Sequence, residues 1–107
     1  MAVIEVNPEN FDDVLRENES VVVEFWADWC APCKKLKPIM DKLANEFSEI
    51  VFVRFNVAED SEIPNRYGVS AVPTLIFFGN GKPVDVIIGA IPENEMRRKV
   101  REFLEIW

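Results

Sequence analysis

Cys30 and Cys33 are the only two cysteines of the chain, so any sulfur chemistry it performs belongs to this pair. They lie in the run Val21 to Lys37, VVVEFWADWCAPCKKLK, where an apolar strand gives way to a short polar turn and then to a helix. Two thiols three residues apart at a helix start share a face and can close a small disulfide ring. The unpaired N–H groups of the first turn, together with the helix dipole, favour negative charge at the first cysteine, which predicts that Cys30 is the lower-pKa thiol. Pro32 has no N–H to leave unpaired at an early helical position and pre-sets the backbone for the turn. Ala31 and Pro32 place no protonatable group between the sulfurs.

The chain contains no histidine, which excludes a Cys–His nucleophile pair and a Cys₂His₂ zinc site. A zinc or iron–sulfur centre would need two further ligands from a second subunit. In a reducing compartment, two cysteines at this spacing point to redox chemistry or a metal rather than to a structural staple, and an inert pair is the remaining alternative.

Apolar spacing gives the elements that position the pair. Val3 to Val6 is a short strand closed by Asn7-Pro8, and Phe11, Val14 and Leu15 mark one face of a first helix, with Asn7-Pro8 as its start. The acidic stretch Glu17 to Ser20 ends it. Val21 to Trp26 is an almost unbroken run of strand formers, the pattern of a central parallel strand buried on both faces. Leu36, Ile39, Met40, Leu43, Ala44 and Phe47 form a helical stripe, and Pro38 within it predicts a kink. Ile50 to Val57 reads as a second buried strand, joined to the first by a right-handed crossover. Asp60 to Tyr67 is a weaker helix with Pro64 in its first turn and Gly68 as its left-handed cap. Thr74 to Phe78 and Val84 to Ile88 form an antiparallel hairpin through Gly79-Asn80-Gly81-Lys82. Met96, Val100, Phe103, Leu104 and Trp107 line a C-terminal helix. The order is β-α-β-α-β-α-β-β-α, without repeat, linker or low-complexity segment.

At 107 residues the chain is one domain, 1-107, with 49% hydrophobic and 29% charged residues. A net charge of -7 argues against nucleic acid or an anionic membrane as partner. Lys34, Lys35 and Lys37 form the one local basic run, read as a solvated helix face. No apolar stretch approaches the roughly 20 residues of a spanning helix, so no membrane association is expected. The start, MAVIEVNPENF, has no secretory pattern, and the expected location is cytoplasmic.

The segment Trp26 to Cys33, WADWCAPC, resembles the thioredoxin family, whose usual active-site form is WCGPC. The resemblance continues along essentially the whole chain through NPENF, VVVEFWADWCAPCKKLKPIM, FNV, YGVSAVPTLIFF, GNGK and the Gly89-Ala90 step, in family order and spacing. It implies an α/β thioredoxin fold, a three-layer α/β/α arrangement in which a mixed central sheet of about five strands is flanked by four helices. The implied activity is reversible dithiol-disulfide exchange with disulfide-bearing protein substrates, using no cofactor beyond the Cys30-Cys33 disulfide and no metal. A thioredoxin reductase-like flavoprotein is the implied electron donor, with glutathione left open, and a monomer is expected.

The resemblance also assigns roles. Cys30 attacks a substrate disulfide, and Cys33 resolves the mixed disulfide. Glu24, the only charge within Val21 to Trp26, occupies the position of the family's buried acid. Burial there would raise its pKa and let it take a proton from Cys33, whereas the alternative is a glutamate turned to solvent at a sheet edge. Val72-Pro73 matches the family's cis-proline, although by residue type alone Pro73 marks only a strand start. Trp29, Ala31, Pro32, Val72, Gly89 and Ala90 are the implied docking surface. Three features depart from the family pattern: Ala31 replaces Gly, Glu24 replaces Asp, and Arg54 and Ala58 replace a common Lys and Asp. Oxidase and isomerase relatives tend to carry His between the cysteines, which leaves a general reductant as the leading expectation and a thioredoxin-fold binding module as the second.

Overall fold

A computed structural model describes residues 3–106, and nine elements follow one another in it. These are β1 (Ile4–Val6), α1 (Phe11–Glu17), β2 (Ser20–Trp26), α2 (Ala31–Glu46), β3 (Val51–Asn56), α3 (Glu62–Arg66), β4 (Thr74–Gly79), β5 (Lys82–Ile88) and α4 (Glu93–Ile106). The five strands form one sheet in the order β1-β3-β2-β4-β5. This is the element order expected from the apolar spacing and the mixed sheet implied by the family resemblance. The expected place of Trp107 on the C-terminal helix lies outside the described residues.

One expectation needs correction. β2 is central, but it is parallel only to β3 and pairs antiparallel with β4. An unbroken apolar run reports burial on both faces, and an inner strand of a mixed sheet is as buried as one in a parallel sheet. The hairpin then sets the direction of β5 against β4. Asn80 and Gly81, at φ 48° and 80°, make a two-residue loop whose positive dihedrals match the strand twist, and β5 returns beside β4. Pro83 sits in this edge strand, where a missing N–H costs no ladder bond to a further strand.

Alternation along the inner strands divides the core into two layers. Val22, Phe52, Leu75 and Phe77 face α2 and α4, packing on Leu36, Met40, Leu43, Met96, Val100 and Phe103. Val21, Val23, Phe25, Val53, Phe55, Ile76 and Phe78 face the other way, onto Phe11 and Leu15 of α1 and Ile63 of α3. Full burial of side chains this size contributes about 1.5–3 kcal/mol each, so both helix pairs are held by packing rather than by intrinsic helix preference. α2 runs for 16 residues and continues through Pro38. In the first turn of α3, Asp60 accepts a hydrogen bond from the Ile63 N–H at 2.9 Å, and Gly68, at φ 69°, supplies the left-handed residue that ends this segment.

Candidate active site

Where β2 and β3 end and β4 begins, three chain segments converge. β2 runs out at Trp26, a turn closes with the Cys30 N–H donating to the Ala27 carbonyl at 3.2 Å, and α2 starts at once. Cys30 is the residue that caps α2, and its Sγ accepts the Cys33 N–H at 3.1 Å. Pro32 occupies the early helical position where no donor is required. Cys30 and Cys33 are joined as a disulfide with their Cα atoms 5.3 Å apart. Both are nearly enclosed, Cys30 at 4% and Cys33 at 1% exposure, and they pack with Ala27 against Trp26, Val57 and Val72. Ala31 and Pro32 are exposed on the first turn of the helix.

The second segment is the start of β4. The Val72-Pro73 peptide bond is cis, as the resemblance implied, and Val72 packs on the disulfide cluster. The Pro73 carbonyl accepts the Gly89 N–H at 2.8 Å, which fixes the end of β5 beside the start of β4. Gly89 has φ 88°, a left-handed conformation that a side chain would strain, and the exposed Ala90 follows it. Trp29, at 76% exposure, stands over a groove of about 160 Å³ lined also by Val57, Pro64, Val69, Ser70, Ala71 and Val72. Trp29 and Val72 of the expected docking surface therefore share one mainly apolar depression. The stretch Val69 to Ala71 carries no apolar period of its own, so residue spacing does not mark it, whereas Val57, just past β3, closes the apolar run Ile50 to Val57. Val57 is fastened there by its N–H, which donates to the Trp26 carbonyl at 2.9 Å.

The third component lies under the helix. Glu24 is 0% exposed on the central strand, so the alternative of a solvent-facing glutamate is excluded. Arg54, 5% exposed, donates from Nε to Glu24 Oε1 at 3.1 Å and from Nη1 to Glu5 Oε2 at 2.9 Å. Its guanidinium carbon lies 4.2 Å from the centre of the Trp26 ring, within cation–π range. Glu24 Oε2 and Trp26 Nε1 are buried without a hydrogen-bond partner among the described residues. Burial pushes the Glu24 carboxyl above its ordinary value of 4.5, against the opposing pull of Arg54 and with a smaller upward push from Glu5 and Asp41. A cavity of about 250 Å³ reaches from Cys33 to Arg54 and is lined by Trp26, Ala27, Asp28, Lys34 and Lys37. The basic run of α2 is solvated, as expected, but two of its lysines also border this cavity.

Among the described residues, no group of His, Cys, Asp and Glu could hold a metal ion, and no helix is long and apolar enough to cross a membrane. A more voluminous depression of about 670 Å³ opens at the opposite end of the sheet, around Asp12, Arg16, Arg66 and the Asn80-Gly81 turn. It is lined by no cysteine, serine, threonine or lysine, and Asp12 and Arg66 are bound to each other within it.

The family model described as Thioredoxin matches residues 2–102. A thioredoxin of Mycoplasmoides gallisepticum is 40% identical over 95 residues, covering 89% of this chain and 95% of that one. A chloroplastic M-type thioredoxin of Brassica napus is 40% identical over 93 residues, which are 86% of this chain but only 52% of the relative, so the chain spans about half of that longer protein. Among solved structures, a thioredoxin variant from Halobacterium salinarum superposes with a TM-score of 0.88 at 31% identity, covering 95% of this chain and 90% of that one.

Proposed function

This chain belongs to the thioredoxin family, and from that premise we propose that it is a protein dithiol-disulfide oxidoreductase acting as a general reductant through Cys30 and Cys33. The observation that carries the reading is the Cys30-Cys33 disulfide at the start of α2, bordered by the cis Val72-Pro73 bond. In the reduced form, the first-turn N–H that reaches Cys30 Sγ in the disulfide is placed to favour a thiolate there. That thiolate attacks one sulfur of a substrate disulfide, forming a Cys30–substrate disulfide and releasing the other substrate sulfur as a thiolate. Cys33 then gives up its proton and attacks Cys30 Sγ. The Cys30–Cys33 bond forms, the mixed disulfide breaks, and the second substrate sulfur leaves with the electron pair. The substrate gains two electrons, and an external dithiol or flavoprotein donor returns the pair to the reduced state.

Glu24 is the proton acceptor for Cys33 in this reading. Its raised proton affinity and its free Oε2 support that role, and the cavity that Cys33 lines reaches Arg54, the residue bonded to Glu24. The substrate chain lies along the groove between Trp29 and Val72, with Ala31, Pro32, Gly89 and Ala90 continuing the surface. The partners are disulfide-bearing proteins and a reductase of the thioredoxin reductase kind, and the protein acts as a monomer. It works in a reducing compartment, the cytoplasm in our reading, although some relatives are chloroplastic.

Insulin reduction driven by dithiothreitol tests the activity. The parent protein is expected to accelerate precipitation of the freed chains, and Cys30→Ser is expected to abolish the acceleration. The Cys30-Cys33 potential should fall near about -270 mV, the range of a reductant. Silence in the insulin assay with retained binding of a partner would instead make the chain a binding module.

A further inference from the structure

Three apolar strands each carry one charge, and the sheet lines these charges up. Glu5 of β1 pairs in register with Arg54 of β3, and Arg54 pairs in register with Glu24 of β2. The row starts at the surface, where the Glu5 side chain is 57% exposed, and ends at Glu24, which is fully enclosed under α2. A guanidinium can grip a carboxylate side-on with two parallel bonds, and Arg97 of this same chain grips Glu46 in that way through Nε and Nη2. Arg54 offers Glu24 only Nε, while Nη1 is held by Glu5 and the guanidinium lies on Trp26.

We propose that Glu5 is a positioning residue for the resolving step: together with Trp26 it fixes the plane of the Arg54 guanidinium, so that Glu24 receives one hydrogen bond and keeps Oε2 free to take the Cys33 proton. The inference rests on the reading of Glu24 as that acceptor. Released from Glu5, the guanidinium can turn to grip Glu24 with Nε and Nη2, which ties up both carboxylate oxygens and lowers their proton affinity. The charge of Glu5 acts in the same direction, since a nearby carboxylate makes ionisation of Glu24 harder. The other charged groups around the site are Asp41, Lys34 and Lys37 of α2 and Asp28 of the preceding turn, whereas β4 brings the uncharged Leu75 beside Glu24.

Glu5→Gln keeps the shape and removes the charge at an exposed position, so folding is not at issue. Two readouts apply. One is the carbon-13 titration of the Glu24 carboxyl in the oxidised protein. The other is single-turnover reaction of the reduced protein with an aromatic disulfide that releases one coloured thiolate on attack and a second on resolution. Glu5→Gln is expected to lower the Glu24 midpoint and to slow the second release about threefold while leaving the first unchanged. Glu5→Asp should recover part of the lost rate, and in a Glu24→Gln background Glu5→Gln should have no further effect. An unchanged Glu24 titration, or the same slowing in the Glu24→Gln background, would overturn the role of Glu5. Parental resolution in Glu24→Gln alone would remove the acceptor reading itself, whereas slow resolution in Glu24→Gln with an unaffected Glu5→Gln sinks only the present inference.

Discussion

Arg54 and Arg97 each hold two glutamates, Arg54 beneath the disulfide and Arg97 on the outer surface between α2 and α4. Arg97 binds Glu46 through two bonds at 2.6 and 2.8 Å and Glu93 through one at 2.9 Å, and Lys42 adds a contact to Glu93. Hydrogen bonds from Arg97 pull both carboxyls below their ordinary value. At Arg54 the balance reverses. Loss of water around Glu24 outweighs the single bond from Arg54, and the carboxyl rises. The same three charges thus make a surface clasp in one place and a buried carboxyl of raised proton affinity in the other. Solvent access and the number of bonds to each carboxylate decide which.

Removing Arg54 should break this contrast most severely. Arg54→Met leaves Glu24 enclosed without its cation and is expected to cost about 3–5 kcal/mol at neutral pH, measured by urea unfolding. The loss should shrink in acid, where Glu24 is neutral. A parental midpoint in this variant would mean that the pair contributes nothing. A smaller effect, opposite in sign at the two sites, should appear in stability against pH. Glu24 binds its proton more tightly folded than unfolded, so its favourable contribution is complete below about 4.5 and is lost as the pH rises through its folded value. Glu46 and Glu93 are depressed, so their contribution is present above about 4.5 and is lost as the pH falls. Unfolding midpoints across this range should therefore diverge from the parent on the alkaline side for Glu24→Gln. For Arg97→Gln the loss should sit at neutral pH, fade in acid and be weakened by salt. Parallel profiles for the two variants would erase the distinction.

Much of this molecule is legible in the chain. The stripe Leu36 to Phe47 and the runs Val21 to Trp26 and Ile50 to Val57 report burial directly, and Asn80-Gly81 favours the positive dihedrals of a two-residue hairpin loop. Pairing direction is not legible in that way, because burial on both faces looks the same whether the neighbour is parallel or antiparallel, and β2 has one of each. The cysteines and Glu24 stand out by residue type. Glu5 does not, since one charge on a short edge strand is unremarkable until register sets it beside Arg54. The groove residues Val69 to Ala71 lie in a loop, where no periodic pattern marks them.

The central claim is that Glu24, underpaired by Arg54, takes the proton of Cys33, and the most direct test follows both steps of one turnover in Glu24→Gln. With the coloured aromatic disulfide, formation of the mixed disulfide should proceed at the parental rate. Its resolution should slow by about 10²-fold at neutral pH, the usual contribution of a positioned base. If both steps keep their parental rates, Glu24 is not the acceptor.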